Sequence, residues 1–74
     1  RIRVYPQPAT DRLYLDYGDL QLRSIQLLQL DGKALSGILA PQRSLSLVGV
    51  PAGVYLLKVV AERGVAMKKV LITH

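Results

Sequence analysis

"LQLRSIQLLQLDGKALSG", residues 20–37, can be read as a helix or as a β-hairpin, and the choice decides the fold. Leucine and glutamine are good helix formers, and Leu22, Ile25 and Leu28 fall three apart, the spacing of one helical face. The Asp31-Gly32 pair argues the other way, because it fits a two-residue type I′ turn with a strand on each side. We therefore expect a hairpin with arms at residues 23–30 and 33–39. Ile25 and Leu27 face inward, with a bulge at Leu27-Leu28 where alternation breaks. Gly37 marks a kink or a second bulge in the return arm.

Turn signals on either side repeat the pattern. Pro6/Pro8, residues 17–19, 37–41, 49–53 and 62–64 cut the chain at roughly the 8–12-residue interval of an all-β sandwich or barrel. Residues 12–16 alternate, with Leu13 and Leu15 on one face, and residues 44–47 do the same with serines outward. Residues 54–61 are apolar on both faces except at Lys58, as in a central strand. Residues 65–73 end β-branched, with Val70 and Ile72 inward and Lys69 and Thr73 outward. About seven strands and no helix suggest an antiparallel, immunoglobulin-like β-sandwich. Gly53, two residues before Tyr55 at the start of a long apolar strand, fits a tyrosine corner, in which the phenol caps a backbone group upstream.

The chain has 74 residues, enough for one small domain, and half of them are apolar. Only four are aromatic, all tyrosine, so the core must be built from Leu, Val, Ile and Ala. The absence of cysteine removes disulfides, thiolate metal sites and cysteine nucleophiles together. The longest apolar run, 53–61, is interrupted by Lys58 and falls well short of the ~20 residues of a membrane helix. The first residue is Arg1 rather than methionine and no signal peptide is visible, which suggests a single domain, 1–74, excised from a longer protein.

The formal charge of +5 raises a nucleic-acid reading, but the ten basic residues are spread from Arg1 to Lys69 and only Lys68-Lys69 are adjacent. A nucleic-acid footprint would gather them on one stripe, so a weakly basic surface without a nucleic-acid partner is expected. Catalysis is thinly supported: the only histidine is His74, at the fraying end of the chain. Asp16-Tyr17-Gly18-Asp19 could supply half a calcium site, yet reads first as a turn. No phosphate loop or zinc spacing occurs, so we expect neither an enzyme nor a cofactor or metal.

One ordered set of motifs remains. Tyr5, Pro6, Gln7, Pro8, Ala9, Thr10 and Asp11 precede a strand. Asp31, Gly32 and Lys33 follow an apolar strand. Leu47 leads through Pro51, Ala52, Gly53 and Val54 to Tyr55, and Lys68, Lys69 and Val70 come near the end. In this order and spacing the chain resembles the C-terminal sorting domain of the type IX (Por) secretion system of the Bacteroidetes group. The family pattern usually reads Tyr-Pro-Asn-Pro, whereas Gln7 stands in the Asn position. A longer side chain there leaves the local turn open to a different geometry.

The resemblance implies an address rather than an activity. Proteins of this kind cross the periplasm of a Gram-negative bacterium and are directed over the outer membrane by this domain. A sortase-like protease then removes it, releasing the passenger or attaching it to the cell surface. The implied partners are the translocon, a shuttle protein, the protease, and a passenger domain N-terminal in the same chain. The family fold is also an immunoglobulin-like sandwich. Lys68, Lys69, Val70, Leu71 and Ile72 form a terminal strand whose edge offers a template for strand addition, and we take them as the surface that is read. The lysines alone also fit gatekeepers against aggregation. The same edge could support an edge-paired or strand-swapped dimer. The competing reading is an immunoglobulin-like or fibronectin-like adhesion or carbohydrate-accessory module.

Overall fold

The computed structural model describes residues 2–74, so Arg1 lies outside the described residues. They form six strands and no helix: β1 (Arg3–Tyr5), β2 (Arg12–Asp16), β3 (Leu22–Gln29), β4 (Ser44–Ser46), β5 (Gly53–Ala61) and β6 (Gly64–Ile72). They make two antiparallel three-stranded sheets, ordered β1-β2-β4 and β3-β5-β6. The long apolar strand β5 lies in the middle of its sheet, as its two-faced hydrophobicity requires.

Six strands stand where about seven were expected: the return arm at 33–39 forms none, and β1 at Arg3–Tyr5 is a strand that the sequence reading does not name. The hairpin turn is not a two-residue type I′ turn. Gly32 N–H donates to Gln29 C=O at 2.9 Å and Gln29 N–H to Lys33 C=O at 2.8 Å, which closes a loop over Leu30, Asp31 and Gly32. A type I′ turn needs positive φ at both central residues, but here only Gly32 has it, at 92°, and Asp31 does not. Asp31 instead accepts the Lys33 amide on Oδ1 at 2.9 Å.

Beyond the turn the arm forms no continuous ladder with β3, only isolated bridges of Leu28 with Ala34 and Ile25 with Leu39. The bulge lies on this arm and not at Leu27-Leu28. Leu27 C=O accepts from both Leu35 and Ser36, at 2.8 and 3.2 Å, so two residues oppose one. The Ser36 hydroxyl then takes the Leu27 amide at 3.1 Å, a side chain replacing the ladder. Within β3 the register shifts between Leu22 and Ser24.

One core joins the sheets. Leu13 and Leu15 of β2 and Leu47 beyond β4 meet Ile25 and Leu27 of β3, Leu57 and Val59 of β5, and Val70 and Ile72 of β6. Of the residues expected inward, Leu13, Leu15, Ile25, Leu27, Leu47, Val70 and Ile72 are thus buried and Leu45 is half-buried, and among the described residues no polar or charged side chain is buried with them. Tyr55 donates its phenol to Pro51 C=O at 2.6 Å, the expected local cap, and its ring lies over Gly53, where a Cβ would stand 3.6 Å from it.

The turn at 16–19 is closed by Gly18 N–H donating to Asp16 Oδ1 at 3.3 Å and by Leu20 N–H donating to Tyr17 C=O at 3.0 Å. Arg43 covers it, its guanidinium 4.0 Å from the Tyr17 ring centroid and donating to Gly18 C=O at 3.0 Å.

Candidate recognition edge

Strand β6 is the outer strand of its sheet, and its sequence places two kinds of side chain on two faces. Val70 and Ile72 are core, and Lys68 shares their face but is only half-buried. Val65, Met67, Lys69 and Leu71 face outward and are exposed. Of the residues expected to be read, Lys69 and Leu71 therefore present side chains to solvent, Lys68 presents part of one, and Val70 and Ile72 hold the strand down.

The far half of the β6 edge is occupied. Ala9 N–H donates to Leu71 C=O at 2.9 Å and Thr73 N–H to Ala9 C=O at 2.8 Å, a one-residue parallel bridge between Ala9 and Ile72. Just before it, Gln7 Nε2 donates to Lys69 C=O at 2.9 Å and Gln7 Oε1 accepts the Leu71 amide at 3.1 Å. A primary amide carries the same donor and acceptor as a peptide group, so this side chain pairs with β6 as a neighbouring strand would.

Pro6 and Pro8 frame that side chain. The Tyr5-Pro6 and Gln7-Pro8 peptide bonds are both cis, and neither proline has an N–H to leave unpaired. Tyr5 stacks on Tyr14 across β1 and β2 with ring centroids 5.8 Å apart. Asp11 C=O takes the Leu47 amide at 2.9 Å. The structure thus brings the first motif against the last.

Two further motifs gather at the same end of the sheet. Gln29, Tyr55 and Val70 lie in one row across β3, β5 and β6. The turn carrying Asp31, Gly32 and Lys33 consequently leaves β3 where β5 begins at Gly53 and β6 finishes. His74, expected to fray, has its Nε2 against Val50 C=O instead. With Asp11 and residues 47–51 it borders a shallow depression of about 360 Å³.

Gln7 is the residue that reading the sequence missed as a working part. The signal in the sequence is its departure from the family's Asn, a longer side chain with reach enough for β6.

The electrostatics of this sheet are one-sided. Its three strands contain Arg23, Lys58, Lys68 and Lys69 and no aspartate or glutamate. The nearest carboxylate in sequence is Glu62, in the turn between β5 and β6.

A comparison with curated proteins finds no match. A family model described as "Secretion system C-terminal sorting domain" matches residues 3–73, from the first residue of β1 to one residue past β6. With the match running through the Gln7 contact, the turn at Gly32, the Tyr55 cap and the lysines of β6, the chain belongs to the family of type IX secretion system C-terminal sorting domains.

Proposed function

We propose that this domain is the export label of a passenger N-terminal to it, read by the type IX machinery at the outer membrane. The observation that carries the reading is the family match across residues 3–73, which covers every strand. On this reading the label acts through its surface and not through chemistry of its own. Translocon, shuttle protein and sortase-like protease are the partners, and the route runs through the periplasm. Cleavage upstream of Tyr5 with attachment of the passenger to the cell surface completes the sequence of events.

The strand order supports an immunoglobulin-like sandwich as the carrier. The orders β1-β2-β4 and β3-β5-β6 correspond to the A-B-E and C-F-G strands of that fold, and the irregular arm at 33–39 bridges β3, the side on which a C′ strand would lie, with no fourth strand D beside β4 among the described residues. Tyr55 near the start of the strand equivalent to F, bonded to Pro51 upstream, is the accompanying tyrosine corner.

Residues 68–72 are the surface proposed to be read, through Lys69 and Leu71 on the outer face and Lys68 at its margin. Deleting the end of the strand would remove Ile72 from the core, so substitution is the cleaner test. The 74 residues are fused behind a periplasm-targeted reporter in a secretion-competent host and in one lacking the type IX apparatus. Surface delivery is expected only in the first host, and is expected to fall in a Lys68→Ala/Lys69→Ala variant that still folds. Equal delivery in both hosts would defeat the export reading, and normal delivery of the folded variant would defeat the assignment to these lysines.

A further inference from the structure

The near half of the β6 edge is open. Backbone groups along a strand point alternately toward one neighbour and the other. Lys69 C=O, Leu71 N–H and C=O, and Thr73 N–H all point away from β5, toward Gln7 and Ala9. By that alternation the N–H of Lys69 and both backbone groups of Met67 and Val65 point the same way. Among the described residues none of them has a backbone partner, because the only strand paired with β6 is β5 and the Ala9 bridge reaches no residue before Leu71. The flanking side chains are apolar and unusually open, with Val65 60% and Met67 48% exposed.

From this geometry we propose that β6 accepts an extended, acidic and apolar segment of a partner protein as a fourth strand, paired over residues 64–69 and halted at Gln7. The inference deepens the export reading and rests on it for the partner being a protein of the machinery. Main-chain hydrogen bonds supply the attraction, and side chains on alternate positions supply the choice of partner.

Charge argues for the occupant. Every ionic residue in the strands of this sheet is basic, and β6 places Lys69 on the outer face and Lys68 on the core-facing side. A half-buried lysine on the inner side of an edge strand opposes pairing with a purely apolar strand, since its charge would have to be covered without a partner. A carboxylate on the incoming strand removes that penalty on either face. A second copy of this chain is the poorer occupant, because it would bring the same lysines and no carboxylate to the edge.

Gln7 gives the groove its end. Its amide and the Ala9 bridge take the outward groups from Lys69 C=O onward, so an added strand runs alongside residues 64–69 and then meets the side chain.

The test uses the 74-residue chain in solution and a capped eight-residue peptide alternating valine and glutamate as probe, with a valine-lysine peptide as control. Amide hydrogen exchange is followed by NMR. The glutamate peptide is expected to slow exchange at Val65, Met67 and Lys69 at least tenfold, and the lysine peptide to leave it unchanged. Met67→Pro removes an outward N–H, which an edge strand tolerates, and should abolish protection. Lys69→Glu, at an exposed position, provides a second variant should the proline variant not fold, and should weaken the glutamate peptide tenfold or more. No protection by the glutamate peptide, equal protection by both peptides, or full protection in either folded variant overturns the proposal. Protection of these amides by self-association without peptide overturns it in favour of a second copy. Because the readout is binding in solution, its failure leaves the export reading standing. Loss of type IX-dependent delivery with peptide binding intact counts against the export reading alone.

Discussion

Gln7 Oε1 accepts the backbone amide of Leu71 at 3.1 Å across a sequence separation of 64 residues, while the same side chain donates to Lys69 C=O at 2.9 Å. Gln7→Ala removes both bonds and exposes a donor and an acceptor to water. A loss of about 1–2 kcal/mol is expected, from two net contributions of the usual size. Urea denaturation measures it, and faster exchange of the Leu71 amide locates it.

Tyr55→Phe deletes only the 2.6 Å bond to Pro51 C=O and keeps the ring over Gly53. Because Pro51 is exposed, its carbonyl can turn to water. The variant should fold with an unchanged circular dichroism spectrum and lose about 1 kcal/mol.

Two glycines in the hairpin separate backbone conformation from space. Neither Gly32 nor Gly37 has another atom within 4 Å of an added Cβ, but only Gly32 has positive φ, at 92°. Gly32→Ala should cost about 1–2 kcal/mol, the penalty for a side chain in the left-handed region. Gly37→Ala should stay within about 0.5 kcal/mol, as for an ordinary surface change. Thermal unfolding of the pair decides it, and equal costs would remove the φ argument.

Leu57 is fully buried on the central strand β5. Leu57→Ala should cost about 2–5 kcal/mol. For 74 residues at the usual stability per residue, the whole fold is worth about 4–11 kcal/mol. The melting temperature should therefore drop steeply, and the reporter fusion should lose delivery together with folding.

Which of these features could be read from sequence follows from how far each contact reaches along the chain. Alternation in β2 and β6 placed Leu13, Leu15, Val70 and Ile72 correctly, because each strand's faces are written in neighbouring residues. Tyr55 was legible for the same reason, its partner lying four residues back. Asp31-Gly32 announced a turn but not its type, which depends on which residue takes the positive φ. The return arm at 33–39 misled because Ser36 satisfies Leu27 with a hydroxyl, where the Asp31-Gly32 turn signal implied a ladder. The Gln7 contact joins the two ends of the domain, and no local pattern encodes it.

The bridge between Ala9 and Ile72 is parallel, and this sets how the domain carries load. Pulled toward its N-terminal side at Ala9 and toward its C-terminal side at Ile72, a parallel pair slides lengthwise and strains its bonds together. The β5–β6 hairpin, pulled apart at its open end, would unzip one bond after another. The clasp formed by Gln7 and Ala9 therefore lies in shear between the front of the domain and the end of its last strand, a mechanical fuse that shields β6 before Lys69 from load until it ruptures.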